Sequence, residues 1–229
     1  MCQLDRSESI NRDVRRQHNR FGYWPPSPTV ADAHDHLRQT ELAPLVDAYD
    51  ELTLKTADDL FERLVVSIIN QLISTEAART IRQRLFAAVE ITPEAILSAE
   101  ESMLREAGLS PQKVEYVQAV ATWFVDEQVT ADQFAGRSNT AVIETLTEIN
   151  GIGVWTAKMT LMFGLGRPDV FPVEDLAVRR GMTDLFGDES RPPMRERAEA
   201  WAPYRSIGTL YIWEYYVDEH STVDTIVSY

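Results

Sequence analysis

Two glycines one residue apart, Gly151 and Gly153, interrupt a stretch of sequence that is otherwise typical of helix. Glycine costs a helix interior up to about 1 kcal/mol relative to alanine, so the pair suits a tight turn between two helices. The N–H groups of such a turn, and of the first turn of the next helix, lack intrahelical partners. With the helix dipole they form an anion site that grips a nucleic-acid backbone without reading its bases. The alternative is a glycine-rich connection that binds nothing.

The elements that must position these glycines are helices. One is predicted from Thr56, because Thr56 followed by Asp59 resembles a capping box. Its apolar residues recur at the spacing of one helix face: Phe61, Leu64, Val65, Ile68, Ile69 and Leu72. Further helices are predicted over 76–89, from Pro93, from Pro111, over 139–149 and 154–164, and in three segments after Asp175. Residues 1 to about 30 look irregular, and no strand-like alternation persists, so the sequence predicts an all-α fold.

The composition limits the class of protein. The 229-residue chain is 44% hydrophobic, and no apolar run approaches the roughly 18 residues of a membrane span. The first residues lack the apolar centre of a signal peptide. The single cysteine, Cys2, excludes an internal disulfide and a four-cysteine iron–sulfur cluster. His34 and His36 are predicted to be surface residues, because no further ligand cluster accompanies them. We therefore expect a cytoplasmic protein that does not bind membranes.

The charge is strongly negative overall but uneven along the chain. The formal net charge is −14, and only three of the 22 basic residues are lysine. A composition of this kind suggests adaptation to concentrated intracellular salt, where repulsion between charges is screened. Residues 151–205 carry eight basic and eight acidic side chains, which leaves 14 basic and 28 acidic side chains for the rest. An anion such as DNA phosphate meets the least repulsion in this segment.

The residues around the glycine pair resemble the helix–hairpin–helix motif of DNA-binding proteins at every diagnostic position: Leu146, Ile149, Gly151, Ile152, Gly153, Thr156 and Ala157. The segment DVFPVEDLAVRRG (169–181) resembles the part of the helix–hairpin–helix base-excision glycosylases (HhH-GPD) that carries the catalytic aspartate. Three more segments resemble blocks of the 3-methyladenine DNA glycosylase II (AlkA-like) family, in the family's order: 67–85, 108–121 and 201–213. The resemblance covers residues from about 45 to 217.

The resemblance implies that Asp175 is the catalytic carboxylate. An N-glycosidic bond breaks through a transition state with oxocarbenium character, which a carboxylate beside the sugar stabilises while it orients the attacking water. Asp175 also suits the N-cap of a helix that begins at Leu176, and the two roles are compatible. Glu174 is the adjacent carboxylate that could be mistaken for it. Trp155 stands where the strand-cutting relatives carry a Schiff-base lysine, so a monofunctional enzyme with water as nucleophile is implied.

The resemblance also implies a base pocket and a wedge. Trp155 and Trp213 match aromatic pocket positions, where a cationic alkylated base would gain roughly 1–2 kcal/mol from cation–π stacking. The alternative for each is a core aromatic at helical spacing. An enzyme that acts on a stacked base must flip it out. NQLIS resembles the bacterial GQLVS, so Leu72, preceded by Gln71, takes the wedge position, although periodicity alone places Leu72 in the core.

The hairpin is expected to hold the DNA backbone. The resemblance implies four residues that contact it: Gly151, Gly153, Thr156 and Lys158. For Lys158 the alternative is a solvated surface lysine. The family's hairpin also binds a monovalent or divalent metal ion through backbone carbonyls, and the matching positions are Thr147, Ile149 and Ile152. No cofactor is expected to be required for catalysis.

The resemblance implies two helical subdomains with the active-site cleft between them. One covers about 60–170 and contains the hairpin at 146–157, and the other joins N-terminal helices to 175–217. Residues 1–44 form a partly irregular extension to a glycosylase domain at 45–229. Two departures stand out: the chain lacks the length for the N-terminal β-rich domain of bacterial members, and Asn70 replaces the family's usual glycine.

The function expected from the resemblance is hydrolysis of the N-glycosidic bond of alkylated purines, of the 3-methyladenine and 7-methylguanine type. The partner is duplex DNA with a damaged base, and the enzyme is expected to be a monomer. One alternative is a glycosylase of the same superfamily for oxidised or deaminated bases. Another is a non-catalytic helix–hairpin–helix module, which Asp175 in its full segment argues against, because a binding module needs no carboxylate.

Overall fold

The computed structural model describes residues 30–220, and all of their regular structure is helical. This confirms the all-α prediction; most of the region predicted to be irregular lies outside the described residues. The α-helices are α1 (Val30–Leu37), α2 (Ala43–Ala48), α3 (Leu60–Asn70), α4 (Thr75–Ala88), α5 (Pro93–Ser98), α6 (Glu101–Glu106), α7 (Pro111–Asp126), α8 (Asn139–Thr147), α9 (Val154–Phe163), α10 (Leu176–Phe186), α11 (Arg191–Ala198) and α12 (Arg205–His220). Two short 3₁₀ helices, Ala131–Phe134 and Glu199–Trp201, complete the set. Across 30–220, none of the helices combines the length and hydropathy that a membrane span requires.

The start of α3 differs from the prediction. The helix begins at Leu60 rather than near Thr56, because Asp59 is its N-cap and accepts a hydrogen bond from the Glu62 N–H at 2.7 Å. The residues before it are held by another helix, since the Ala57 N–H donates to the Phe163 carbonyl at 2.7 Å. The helices predicted from Pro93 and Pro111 do begin there, each after a capping hydroxyl residue.

The helices pack in two groups. In the first, α3 lies against α4, α7 and α9, while α5 and α6 pack on α7 and α8 packs on α9. In the second, α12 lies against α10 and α2, with α11 on α10 and α1 on α2. The connection between α9 and α10 is fastened to the second group by Ser206, whose buried hydroxyl donates to the Arg167 carbonyl and accepts from the Val170 N–H. One continuous core of buried side chains runs through both groups.

His34 corrects a prediction made from the sequence. It was expected at the surface, but α1 packs into the core and leaves His34 fully buried. Its Nε2 lies 3.1 Å from the Leu52 carbonyl oxygen, and its ring meets Tyr211 edge-on at 6.0 Å. The prediction failed because two histidines two apart point to different sides of a helix, so one faces the core while His36 stays half-buried.

Candidate active site

Three segments that are far apart in sequence meet at the carboxylate of Asp175. Asp175 is the N-cap of α10, and its Oδ1 accepts from the Val178 N–H at 3.0 Å. The indole N–H of Trp213, in α12, donates to the same oxygen at 3.0 Å, and that of Trp155, in α9, donates to Oδ2 at 2.9 Å. These three donors are neutral, so they fix the carboxylate in place and leave its negative charge available to a developing cation.

The two tryptophans occupy different environments. Trp155 is half-buried, whereas Trp213 is almost fully buried and stacks on Phe163, with ring centroids 5.9 Å apart. The guanidinium carbon of Arg63, a buried residue of α3, lies 4.9 Å from the centre of the Phe163 ring. Sequence reasoning missed Phe163 and Arg63. The sequence carried no signal for Arg63, because it falls on the side of α3 opposite the predicted apolar face, where a cation is ordinarily exposed to solvent.

Glu174, the neighbouring carboxylate, is engaged in ion pairs. Its Oε2 lies 2.7 Å from the Lys158 ammonium, and its Oε1 lies 3.6 Å from the Arg195 guanidinium. Both the Glu174 and the Lys158 side chains are largely buried. Two cations therefore offset the charge of Glu174, while Asp175 forms no ion pair with any residue between 30 and 220. This difference favours Asp175 as the carboxylate that faces a reacting group.

Lys158, for which the sequence predicted a contact with a DNA phosphate, has partners within the protein. Its ammonium pairs with Glu174 and also donates to the Phe171 carbonyl at 2.9 Å. A helical position three residues after Trp155 turns the side chain toward the segment that precedes α10 rather than toward the outer face of the hairpin. Lys158 therefore ties the hairpin helix to the segment that carries Asp175.

The glycine pair forms the tight turn that its sequence predicted, between the end of α8 and the start of α9. Gly151 has a φ of +92°, and a Cβ built there would overlap the Cγ of Tyr116. Gly153 is different: it is the extended N-cap of α9 with a φ of −92°, and a Cβ there would meet no atom within 4 Å. The positive φ and the close packing of Tyr116 explain why residue 151 is glycine. At Gly153 the fold imposes no such requirement, and the space beside the outward N–H groups of α9 is open.

Thr156 and Gln71 form side-chain hydrogen bonds that the sequence did not predict. The Thr156 side chain is buried, and its hydroxyl accepts from the Gln71 amide at 3.0 Å, so any contact that Thr156 makes with the DNA backbone, as predicted, falls to its backbone N–H. The same amide donates to the Gly151 carbonyl at 3.0 Å. Gln71, expected beside the wedge, thus points to the hairpin, because the chain turns sharply where α3 ends. The pair connects the hairpin to the segment that carries Leu72.

Leu72 is fully exposed, with a side-chain accessibility as high as in an extended chain. It follows the C-cap of α3 and has a φ of +57°, in the left-handed region that a leucine seldom occupies. The helical period placed Leu72 in the core, but the helix ends at Asn70, so the period no longer applies. An exposed leucine at a projecting turn has the form of a wedge.

The hairpin carbonyls have the chemistry of a hard-cation site. Thr147 is the last residue of α8, so its carbonyl is among those without an intrahelical donor. The Ile149 carbonyl accepts from the Ile152 N–H at 3.0 Å and keeps a second lone pair. Three neutral oxygens in one turn, those of Thr147, Ile149 and Ile152, suit an ion such as K⁺, Na⁺ or Mg²⁺, which prefer oxygen ligands.

Known proteins resemble this chain in sequence and in fold. The family described as "HhH-GPD superfamily base excision DNA repair protein" matches residues 65–206. The chain is 31% identical to DNA-3-methyladenine glycosylase 1 of Schizosaccharomyces pombe, over 67% of this chain and 71% of that protein. The fission-yeast 3-methyladenine DNA glycosylase (Mag1), solved in complex with abasic DNA, has a similar structure, with a TM-score of 0.71 and 27% identity, over 80% of this chain and 95% of that one. A DNA-3-methyladenine glycosidase of Bacillus halodurans matches with a TM-score of 0.69 and 32% identity, over 86% and 93%.

Proposed function

Because the chain belongs to the HhH-GPD superfamily of base-excision DNA repair proteins, we propose that it is a monofunctional DNA-3-methyladenine glycosylase that removes alkylated purines from duplex DNA. The observation that carries the proposal is the Asp175 carboxylate, which Trp155 and Trp213 hold and which forms no ion pair within residues 30–220. The relatives named as 3-methyladenine glycosylases support the substrate class. A module that only binds DNA has no use for a carboxylate built in this way.

The reaction requires little from the protein beyond charge and position. A purine alkylated on a ring nitrogen carries a positive charge, so when its bond to C1′ breaks, the electron pair leaves with the base and neutralises it. The sugar becomes an oxocarbenium ion, which the negative charge of Asp175 stabilises at close range. A water oxygen then bonds to C1′ and loses a proton, which leaves an abasic site in an intact strand.

Water is the nucleophile, because among residues 30–220 no amine is placed to replace it. Trp155 occupies the position at which the strand-cutting relatives carry lysine, and its indole is engaged with Asp175. Lys158, the nearest lysine along the chain, is paired with Glu174 at 2.7 Å. An ammonium held in an ion pair is protonated and has no lone pair with which to form an imine.

DNA is held through the hairpin and opened by Leu72. The N–H groups at the start of α9, beside the open space at Gly153, bind a backbone phosphate. Leu72 enters the base stack and fills the gap that the flipped nucleotide leaves. A monovalent or divalent metal ion, held by the carbonyls of Thr147, Ile149 and Ile152, would add positive charge next to that phosphate. The enzyme acts as a monomer in the cell.

The test uses duplexes that each contain one defined lesion, with single-turnover measurement of base release and the Asp175→Asn variant as control. We expect the wild type to release 3-methyladenine and 7-methylguanine, and the variant to release them on the order of a hundredfold more slowly or worse. Release of oxidised or deaminated bases instead would show that the enzyme is a glycosylase of the same superfamily that acts on those lesions. Binding without release of any base would reduce the protein to a DNA-binding module.

A further inference from the structure

The backbone at Leu72 is held in an unfavourable arrangement. Its φ of +57° lies in the left-handed region, where a leucine is strained, and its side chain gains nothing from burial because it is fully exposed. A residue in this state persists only if the surrounding structure fixes the chain on both sides of it. On the C-terminal side, Ser74 caps α4 by accepting from the Ala77 N–H.

On the N-terminal side, the chain is fixed by a lysine of another helix. The Lys113 ammonium donates to the Ile69 carbonyl at 2.7 Å and to the Gln71 carbonyl at 2.9 Å. Both acceptors lie at the C-terminal end of α3, where carbonyls lack intrahelical donors and a positive charge is favourable. The Gln71 N–H donates to the Ile68 carbonyl, and its side chain is bound to the hairpin. The backbone N–H, the backbone carbonyl and the side-chain NH₂ of the residue before Leu72 therefore each have a partner.

Helix stability does not explain a lysine at position 113. Lys113 lies in the first turn of α7, where a positive charge opposes the helix dipole. It is also half-buried, and this burial lowers the pKa of its ammonium because the charged form loses hydration. One turn later on the same helix, Tyr116 packs against Gly151 of the hairpin. The start of α7 thus contacts both of the loops that are proposed to meet DNA.

We propose that Lys113 is a positioning residue for the wedge: its ammonium fixes the carbonyls of Ile69 and Gln71 and so holds Leu72 in the strained turn that projects its side chain. The inference rests on the proposed function, because the wedge has a purpose only in an enzyme that flips a base. Without the ammonium, the turn would relax to an ordinary φ, and the leucine would leave the projecting position for part of the time.

The experiment compares Lys113→Met, which keeps the length of the side chain but removes its donors, with Lys113→Arg, which restores donors. Lys55→Met, at an exposed lysine, is the matched control. In the free protein, we expect Lys113→Met to speed amide hydrogen exchange in the peptide covering residues 69–75, with no change in α12. Excision from duplex DNA should fall by about tenfold to a hundredfold, as expected for lost hydrogen bonds to a charged donor, and Lys113→Arg should recover most of it.

A double-mutant cycle with Leu72→Ala distinguishes positioning from general stability. If Lys113 acts through the wedge, Lys113→Met should add no more than about twofold to the loss caused by Leu72→Ala. If the losses of excision rate from Lys113→Met and Leu72→Ala multiply, the two residues act independently and the proposal is overturned. Unchanged amide hydrogen exchange at residues 69–75 would overturn it as well. If Lys113→Met does not fold, Gln71→Ala is used instead, because it removes the hydrogen bonds from Gln71 to the hairpin. It must speed amide hydrogen exchange at residues 69–75 and must add little to the loss of excision caused by Leu72→Ala. If the wild type excises no base, the proposed function fails, and hydrogen exchange alone decides whether Lys113 holds the turn.

Discussion

Asp175 and Glu174 are adjacent in sequence but have partners of opposite kinds. Asp175 accepts from two indoles and one backbone N–H, all neutral, whereas Glu174 is paired with Lys158 and Arg195. Neutral donors orient a carboxylate but leave its negative charge available to another group. The cation of an ion pair neutralises that charge. A carboxylate is therefore left free of ion pairs with residues 30–220 at position 175 and forms a structural tie at position 174.

Asp175→Asn should abolish most of the activity with a small loss of stability. The amide keeps one oxygen but presents an NH₂ to one of the indole donors, which costs about 1 kcal/mol of folding free energy. The lost charge should lower excision by on the order of a hundredfold or more, while binding to abasic duplex persists. Glu174→Gln is the matched control: it should lower the melting temperature but keep most of the activity of each folded molecule. Equal losses of activity would mean that the wrong carboxylate has been chosen.

The position of Trp155 predicts the product. Because this position holds an indole bound to Asp175 rather than an amine, incubation with a lesion duplex should give an intact strand that breaks only after hot alkali or an abasic-site endonuclease. Sodium borohydride should trap no covalent complex between protein and DNA, since no imine forms. Trapping by the wild type that disappears in Lys158→Met would show that the Glu174 pair opens and that the enzyme also cuts strands.

At the scale of elements, the hairpin and the end of α3 form one connected unit. The Gln71 amide bridges the turn after α3 to both Gly151 and Thr156, and Lys113 and Tyr116 brace the two loops from α7. A wedge and a phosphate seat must keep a fixed separation to engage one DNA molecule, and side-chain hydrogen bonds between them supply that rigidity.

The two hairpin glycines should respond differently to alanine. Gly151→Ala places a methyl group against Tyr116 at a positive φ, so it should destabilise the fold by about 1–3 kcal/mol. Gly153→Ala has room for its methyl group and an ordinary φ, so its stability should change little. Its affinity for duplex DNA should nevertheless fall, because the methyl group occupies the space in which we place a phosphate. If Gly153→Ala binds duplex DNA as tightly as the wild type, the phosphate does not bind beside Gly153.

The turn at Leu72 should show a conflict between stability and function. Leu72→Gly relieves the left-handed strain and removes no buried contact, so thermal unfolding should reveal a gain of about 1 kcal/mol. Leu72→Ala should be nearly neutral for stability. Both variants should excise lesions from duplex DNA more slowly than the wild type. A loss of 2 kcal/mol or more on Leu72→Ala, of the order found for core leucines, would show that the side chain is buried in solution.

At the scale of the whole molecule, charge and function appear opposed, because a net charge of −14 repels DNA. The segment from 151 to 205 is balanced in charge and contains Asp175, the hairpin helix and the pair formed by Lys158 and Glu174. Concentrated salt would screen the repulsion from the remainder of the surface. The few lysines of the chain have specific partners at two of three positions, Lys113 and Lys158.

Stability should therefore depend on salt. We expect the melting temperature to rise with potassium chloride up to molar concentrations and to fall on dilution, because screening removes repulsion among the excess acidic side chains. Potassium chloride and tetramethylammonium chloride at equal ionic strength separate screening from binding of K⁺ at the hairpin carbonyls. Higher thermal stability in low salt would refute the prediction that the composition reflects a saline cell interior.

The sequence alone determined the all-α class, the hairpin and the family, because those depend on local signals: helical periodicity, glycines in a turn, and motifs in a fixed order. It identified Asp175, Trp155 and Trp213 but not their hydrogen bonds, which exist only because α9, α10 and α12 converge. Lys158, Thr156 and Gln71 have partners within the protein that the sequence did not predict. Each was assigned to DNA by motif position, whereas the partner of a polar side chain is set by helix packing across 16 to 85 residues of sequence. Tertiary structure also decided that Leu72 is exposed, because periodicity holds only within a helix, and that helix ends at Asn70.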